Sequence, residues 1–454
     1  MILGSPRNRL LAAAILLIGC KATANDGIAL VGATLIDGTG GPALTNAVVV
    51  IRRGRIESVG QRAGFELPRK TREVDVSGRW IIPGLIDAHA HLGPVLSWAP
   101  PRYLAWGVTT VRDVHSALGL LPALHRKPDG APLGPRVYAA GAMIDGLPTT
   151  YPDAIGINDE KEARKGVDRL VTSGADFIKV YTRVDGPSLR AIVDEAKAFN
   201  LSVTGHLGMT DALAAAKAGI AAIEHLTGIP EAASRNPSSL ITAHYRGFFP
   251  GWTAFQRSWA DLDSAGLARV AQRLADAKIT IIPTLVLHET LSRLRDPGVS
   301  SDPALADVPP EQQRDWDVSG MISRAGWTEQ DFQAFRRSRA VQDLFVRLFV
   351  AAGGRVAAGT DASNQLLVPG YSQHREMELL VRAGLTPREA LRAATRNAAV
   401  LLGVDSLGLV APGNAAYLLV LSKDPMADIR NTRAIQAVVT RGYLLDTDSI
   451  RATW

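Results

Sequence analysis

Two histidines separated by one residue, His89 and His91, follow a run of apolar residues that begins at Ile81. Side chains of a β-strand alternate between its two faces, so both imidazoles lie on the same side and can bind one metal ion together. A pair of imidazoles is an incomplete metal site, because catalytic zinc usually takes three protein ligands. We therefore expect other strands of the fold to supply further ligands.

Four more side chains suited to metal binding lie at the ends of other short apolar runs: Lys179, His206, His225 and Asp361. If these runs are strands of one barrel, their carboxyl ends converge on a single pocket. We expect His89, His91 and Asp361 to complete one metal position, and His206 and His225 to complete a second. Imidazole and carboxylate ligands without thiolates favour zinc over manganese, cobalt or nickel.

Lys179 lies between Ile178 and Val180, where a buried ammonium is costly and a neutral amine is favoured. A neutral amine reacts with carbon dioxide to form a carbamate, whose two oxygens can bridge two divalent cations. A water held between two cations loses a proton near neutral pH and becomes a nucleophile. Asp361 can accept that proton during attack on a carbonyl and pass it to the leaving nitrogen. We therefore predict metal-dependent hydrolysis, with Lys179 and Asp361 as catalytic residues.

The segments that must position these residues alternate short apolar runs with helical stretches, a pattern typical of βα units in α/β proteins. The predicted strands cover residues 81–91, 108–111, 137–140, 177–181, 202–206, 222–225, 280–283 and 356–361. Eight βα units predict a (β/α)8 TIM barrel, which we place at residues 83–405. The connections 226–277 and 288–354 are longer than a simple link requires, so we expect them to form a wall or lid of the pocket.

The two ends of the chain show short apolar runs broken by turns, which predict β-strands. Neither residues 25–82 nor residues 406–454 contain enough apolar strand to bury a core alone. We therefore predict that both ends combine into one small β-sandwich domain beside the barrel.

Residues 1–24 have the pattern of a signal peptide, because Arg7 and Arg9 precede an apolar stretch too short to span a membrane as a mature helix. The segment that ends in Cys20 resembles a bacterial lipobox, so cleavage before Cys20 would leave a lipidated N-terminus. Cleavage after Ala24 would instead release an ordinary periplasmic protein. Because Cys20 is the only cysteine of the chain, we favour the lipoprotein. The predicted location is the periplasm or the outer membrane of a bacterium.

Composition narrows the range of partners. The chain has 454 residues, of which 46% are hydrophobic and 21% are charged, as in folded proteins with a large core. Its formal net charge of +6 is modest, and no run of Lys and Arg interleaved with aromatic residues marks a nucleic-acid groove. We expect a small-molecule substrate, no nucleic-acid partner, and membrane attachment only through a lipid anchor. A homo-oligomer is left open.

The motifs that carry the candidate ligands follow one another along the whole predicted barrel. They are PGLIDAHAH at 83–91, GVTTVRD at 107–113, ADFIKVY at 175–181, GH at 205–206, EH at 224–225 and GTD at 359–361. Together they resemble the amidohydrolase superfamily, and within it the imidazolonepropionase-like and prolidase-like binuclear metal-dependent hydrolases. The resemblance implies a barrel with a β sandwich from both termini, two metal ions bridged by a carboxylated lysine, and cleavage of amide or related bonds.

We expect an exported enzyme whose metal-bridging hydroxide hydrolyses an amide or peptide bond in a dipeptide or an N-acyl amino acid. Dipeptidase-type relatives carry a His and a Tyr associated with a substrate carboxylate where this chain has Ala142 and Gly228. The alternatives are hydrolysis of a cyclic amide or lactone, deamination by the same metals, and a non-catalytic surface protein. Tyr181, Arg183 and His115 are the predicted substrate contacts, since they follow strands that end at the pocket.

Overall fold

A mixed β-sheet joins the two ends of the chain in the computed structural model, which describes residues 27–126 and 130–454. The predicted signal peptide with Cys20 lies outside the described residues. The described strands are β1 (Gly27–Leu35), β2 (Leu44–Arg52), β3 (Arg55–Gln61), β4 (Thr71–Asp75), β5 (Trp80–Pro83), β6 (Leu85–Ala90), β7 (Val108–Asp113), β8 (Arg136–Ala139), β9 (Ile144–Gly146), β10 (Ile155–Ile157), β11 (Ile178–Val180), β12 (Val203–Gly205), β13 (Ala222–Glu224), β14 (Thr280–Ile282), β15 (Arg355–Val356), β16 (Leu418–Leu421), β17 (Ile435–Thr440) and β18 (Tyr443–Asp446).

Helices separate most of the strands between β6 and β16. The described α-helices are α1 (Ala99–Ala105), α2 (Leu121–Leu124), α3 (Glu160–Thr172), α4 (Gly186–Ala198), α5 (Ala212–Ala218), α6 (Ile229–Ala233), α7 (Pro237–Arg246), α8 (Phe248–Ser258), α9 (Ser264–Asp276), α10 (Leu285–Ser292), α11 (Pro297–Ser300), α12 (Pro310–Asp315), α13 (Val318–Ala325), α14 (Glu329–Ala351), α15 (Tyr371–Arg382), α16 (Pro387–Ala393), α17 (Arg396–Leu401) and α18 (Thr447–Arg451). None of them combines the length and the apolar composition that a bilayer span requires.

The mixed sheet has the strand order β18-β17-β16-β5-β1-β2-β3, and β4 also pairs with β1. Strand β16 runs antiparallel to β5, with Leu419 opposite Ile82. Strands from the carboxyl end of the chain therefore extend a sheet that the amino-terminal strands begin. Apolar side chains of both ends share one buried cluster, which includes Leu30 and Val439.

The strands that lead to the candidate ligands form two parallel sheets, β6-β7-β8 and β10-β9-β11-β12-β13-β14-β15. The Ala88 N–H donates to the Ala358 carbonyl (2.9 Å), and the Asp176 N–H donates to the Ala139 carbonyl (2.9 Å). These bonds join both edge strands of the three-stranded sheet, β6 and β8, to segments next to strands of the seven-stranded sheet. Every residue of β6 is buried, as is usual when a parallel sheet is covered on both faces. The chain thus has the predicted α/β organisation, with parallel sheets and one mixed sheet.

Several details differ from the sequence prediction. The strand predicted at residues 81–91 is divided into β5, in the mixed sheet, and β6, in a parallel sheet, so His91 lies one residue beyond β6. Strand β15 ends at Val356, so Asp361 lies beyond the strand rather than at its last residue. Strands β9 and β10 were not predicted, because each has only three residues and contains a glycine, which gives no recognisable alternation. The predicted ligands therefore lie partly on the strands and partly on short irregular segments that follow them.

Gly107 lies between α1 and β7, where the parallel sheet meets the mixed sheet. Its φ is +72°, and a Cβ at this position would lie 2.6 Å from Leu419 Cδ1. We expect Gly107→Ala to lower the free energy of unfolding by roughly 2–4 kcal/mol, because it adds both backbone strain and overlap. Gly64→Ala is the matched control, since Gly64 has a φ of +74° and nothing within 4 Å of the new methyl group. Urea unfolding measures both losses, and equal losses would contradict the packing argument.

Candidate active site

His89 and His91 both face Asp361, on the single side that strand alternation predicts. His89 Nε2 lies 3.1 Å and His91 Nε2 lies 2.9 Å from Asp361 Oδ1. Ligand atoms of the three residues lie within 4.8 Å of one another. Despite these short distances, the buried Oδ1 atom of Asp361 takes part in no hydrogen bond of acceptable geometry. Two imidazole nitrogens and a carboxylate oxygen thus converge as the ligands of one cation do.

The other three predicted ligands, Lys179, His206 and His225, line the same cavity as this cluster. The ring centroid of His225 lies 4.3 Å from that of His89 and 4.8 Å from that of His206. Burial lowers the pKa of His206 and of His225 well below its usual value, so both imidazoles are neutral, as metal ligands must be. Burial also lowers the pKa of Lys179 to about 8, so part of its amine is uncharged near neutral pH.

Asp361 carries the negative charge of the cluster. Burial alone would raise its pKa, but the imidazoles of His225, His89 and His91 outweigh burial and hold the pKa of Asp361 well below its usual range. The carboxylate is therefore ionised near neutral pH. An ionised carboxylate can bind a cation or accept a proton.

A buried carboxylate that we did not predict as a site residue, Glu224, orients His89. Glu224 Oε2 lies 2.7 Å from His89 Nδ1, while Oε1 accepts a hydrogen bond from Arg112 Nη1 (2.9 Å) and another from the Thr204 hydroxyl. Burial would raise the pKa of Glu224, but its contact with His89 and the charges of Lys179 and Arg112 hold it well below its usual range. An ionised Glu224 requires a proton on His89 Nδ1, which leaves the Nε2 lone pair facing Asp361.

The backbone adopts left-handed conformations at two of the predicted ligands and at Thr284, which contacts one of them. The φ angles are +57° at His225, +62° at Asp361 and +45° at Thr284, a region that residues other than glycine adopt at a cost. The His225 N–H donates to the Ile282 carbonyl (2.8 Å), and His225 Nδ1 lies 2.8 Å from the Thr284 hydroxyl. These bonds hold the imidazole of His225 in place despite the unfavourable φ.

The cavity has a volume of about 640 Å³ and is lined by all six predicted ligands. Both long connections contribute to its walls, as the sequence predicts: the residues are Phe248, Phe249 and Trp252 from the first, and Trp316, Met321, Arg324 and Trp327 from the second. Trp259, which also belongs to the first connection, does not line the cavity. It is buried in the core, with its ring 5.9 Å from that of Phe345.

The predicted substrate contacts divide into two groups. Tyr181 and His115 line the cavity. His115 Nε2 lies 3.1 Å from Asp153 Oδ1, its Nδ1 accepts a hydrogen bond from the Met143 N–H (3.2 Å), and burial lowers its pKa. Arg183 is not among the residues that line the cavity, and its backbone N–H donates a hydrogen bond to Oδ1 of the buried Asp145 (2.9 Å).

Comparison with known proteins places this geometry in a family. Residues 80–445 match the model of the amidohydrolase family. The chain belongs to the amidohydrolase family. This result confirms the resemblance found in the motifs, and the protein is accordingly a hydrolase that acts on carbon–nitrogen bonds. Members of this family are typically metal-dependent, which agrees with the His89, His91 and Asp361 cluster.

One sequence relative and two solved structures show how much of this amidohydrolase the similarity covers. Ochratoxinase from Aspergillus niger is 24% identical over 477 aligned positions, which cover 89% of this chain and 83% of the relative. The structure of the bottromycin amidohydrolase has a TM-score of 0.69 at 23% identity, covering 94% of this chain and 88% of that one. A third similar structure, a Xaa-Pro dipeptidase with bound methionine, has a TM-score of 0.66 at 19% identity, covering 93% of this chain and 100% of that one. At these identities the structures support the fold alone.

We expect Glu224→Gln to weaken metal binding by roughly 10- to 100-fold, because the neutral amide no longer fixes the tautomer of His89. Metal content after dialysis against a graded series of chelator concentrations measures the change. Glu231→Gln is the matched control, since Glu231 is equally buried and its Oε1 lies 2.9 Å from His244 Nε2, outside the ligand set. Unchanged metal retention in Glu224→Gln would contradict the orienting role.

Proposed function

We propose that this amidohydrolase hydrolyses an amide or peptide bond in a small substrate, such as a dipeptide or an N-acyl amino acid. The observation that carries the proposal is the convergence of six ligand-type side chains on one cavity, around an Asp361 oxygen without a hydrogen bond. Similarity to ochratoxinase and to the bottromycin amidohydrolase supports amide hydrolysis. The dipeptide or N-acyl amino acid is the finer part of the proposal.

The donor set fits two divalent cations, with zinc favoured by the imidazole and carboxylate ligands. His89, His91 and Asp361 would hold one cation and His206 and His225 the other, with Lys179, carboxylated by carbon dioxide, between them. When bound, such cations supply an acidified water and polarise a carbonyl oxygen. The partly neutral amine of Lys179 supports the carbamate, since only the uncharged form reacts with carbon dioxide.

Side chains of the protein then transfer the proton of the attacking water. Asp361 accepts the proton that the attacking water loses and delivers it to the nitrogen of the leaving amine. Its low pKa makes it a weak base in the resting site, and the protonated form donates its proton readily to the nitrogen as the carbon–nitrogen bond breaks. Glu224 keeps His89 in one tautomer throughout, so that the ligand geometry does not change between the two proton transfers.

We also propose the finer architecture and the location. The backbone hydrogen bonds between Ala88 and Ala358 and between Asp176 and Ala139 support one closed (β/α)8 TIM barrel at residues 83–405. Residues 25–82 and 406–454 would form the β-sandwich domain. The signal-peptide pattern of residues 1–24 supports export to the periplasm, with lipidation of Cys20 as the proposed anchor and a small molecule as the proposed partner.

Lys179→Ala should lower kcat/KM for amide hydrolysis by about two to three orders of magnitude, because it removes the side chain that we propose as the bridge between the two positions. Bicarbonate should increase the activity of metal-free wild type reconstituted with zinc, and should have no effect on Lys179→Ala. The control is Lys165→Ala, which changes an exposed lysine of α3. Full activity in Lys179→Ala, with normal metal content, would overturn the carbamate.

A substrate screen tests the choice of bond. We expect hydrolysis among dipeptides and N-acyl amino acids, measured by release of the free amine, and little turnover of lactones and cyclic imides. The same ligand set could hydrolyse either class of substrate, so the shape of the cavity determines which class is cleaved. Cleavage confined to lactones and cyclic imides would replace the proposed substrate class, and deamination without hydrolysis would replace the reaction.

A further inference from the structure

Three aromatic rings stand nearly parallel along one side of the cavity; we call Tyr181, Phe248 and Trp252 the aromatic wall. The ring centroids of Tyr181 and Phe248 are 6.1 Å apart with an interplanar angle of 18°, and those of Phe248 and Trp252 are 6.2 Å apart with the same angle. All three residues line the cavity. A row of stacked rings offers a substrate ring several partners for offset or edge-on pairing.

The aromatic wall is rigidly supported from behind. The ring of Trp252 stacks on the imidazole of His288, with centroids 5.7 Å apart and an interplanar angle of 2°. His288 Nδ1 lies 2.7 Å from Gln256 Nε2, and His288 Nε2 lies 3.0 Å from the His225 carbonyl oxygen. A carbonyl oxygen only accepts hydrogen bonds, so His288 donates through Nε2 and accepts at Nδ1 from the Gln256 amide. Both ring nitrogens are engaged, which fixes the orientation of the stack.

Phe248 is the member of the wall that the protein itself does not cover. It is half-buried, and in the described part of the chain its ring neighbours are Tyr181, His206, Phe249 and Trp252, all of which also line the cavity. It follows Gly247, whose φ of +147° is disfavoured for any residue with a side chain. The chain thus begins α8 with an aromatic ring directed at the cavity, although exposed apolar surface is unfavourable.

The aromatic wall stands next to the predicted ligands. The ring centroid of His206 is 4.6 Å from that of Tyr181, 6.1 Å from that of Phe248 and 5.7 Å from that of Trp252. A scissile bond held near His206 therefore places its nearest substituent against the wall. Ser363 and Asn364, which follow Asp361 and also line the cavity, make the lining beside that ligand polar.

We propose that the aromatic wall selects amides that carry a flat aromatic ring on a group adjacent to the scissile bond, and that Phe248 is a specificity-determining residue. The proposal rests on the proposed amide hydrolysis and names its substrate class. A ring pair in offset or edge geometry adds to the benefit of apolar burial, which predicts a preference for aryl over equally large aliphatic groups of about three- to tenfold.

Matched substrates separate aromaticity from size. N-acetylphenylalanine is compared with N-acetylcyclohexylalanine, which places the ring on the amine side, and N-benzoylglycine with N-cyclohexanecarbonylglycine, which places it on the acyl side. We expect kcat/KM to be about three- to tenfold higher for the aryl member of at least one pair. Hydrolysis with no aryl preference in either pair would overturn the aromatic selection while leaving amide hydrolysis intact.

Variants assign the preference to the wall. Phe248→Leu should reduce the ratio of kcat/KM between the aryl and the cyclohexyl substrate to about one, and Phe248→Tyr should retain the ratio of the wild type. Phe199→Leu is the matched control, because Phe199 is 44% exposed and is not among the residues that line the cavity. An aryl preference that survives in Phe248→Leu would overturn the assignment to Phe248.

Binding without catalysis tests the wall independently. Benzylacetone and its cyclohexyl analogue are neutral ketones that the enzyme cannot cleave, and calorimetry compares their affinities for the wild type and for Phe248→Leu. Tighter binding of benzylacetone by about three- to tenfold, lost in Phe248→Leu, supports the proposal even if no amide is hydrolysed, in which case only the proposed function fails. Equal affinities of the wild type for both ketones would overturn the proposal whatever the enzyme hydrolyses.

Discussion

The hydrogen bond between His89 Nδ1 and Glu224 Oε2 is the interaction on which the candidate site depends. It connects β6 to β13 through the interior, and it determines which nitrogen of His89 faces the cavity. Glu224 is fully buried, so its charge is tolerated only because Arg112, on β7, and the Thr204 hydroxyl, on β12, share it. Removing one partner of such a buried group typically costs several kcal/mol, about 3–5. The four strands are thereby held in the arrangement that the ligands need.

A second buried carboxylate, Asp87 of β6, holds the segment that follows β15. Asp87 accepts hydrogen bonds from the Thr360 hydroxyl (2.6 Å) and from the Thr360 N–H (3.0 Å), just before the ligand Asp361. Burial raises the pKa of Asp87 to about 7. Because β15 ends at Val356, these bonds, with those from the Thr360 and Asp361 N–H groups to the His89 carbonyl, fix the segment that carries Asp361 in its left-handed conformation. The strain at Asp361 is compensated by bonds to the strand that holds the other two ligands.

The sequence was sufficient for the parts of the site that follow from local pattern. Strand alternation correctly placed His89 and His91 on one side, and the length of the two connections correctly indicated the walls of the cavity. The pairing of Glu224 with Arg112 could not be predicted in this way, because the two residues are 112 positions apart and lie on strands of different sheets whose side chains meet in the interior. Trp252 and Trp259 look alike in the sequence, yet one lines the cavity and the other packs in the core, since only the helix orientation distinguishes them.

The residues of the aromatic wall differ in how closely they contact the residues that hold the predicted metal ligands. Trp252 stacks on His288, and His288 holds the carbonyl of His225, so a change at Trp252 reaches the backbone of a ligand. Phe248 stands in front of Trp252, one ring further from His288 and from the His225 carbonyl. A change of the Phe248 ring therefore reaches the His225 backbone through Trp252 rather than directly. The residue that we propose as the specificity determinant is thus distinct from the residues that hold His225, so the one can vary while the others are kept.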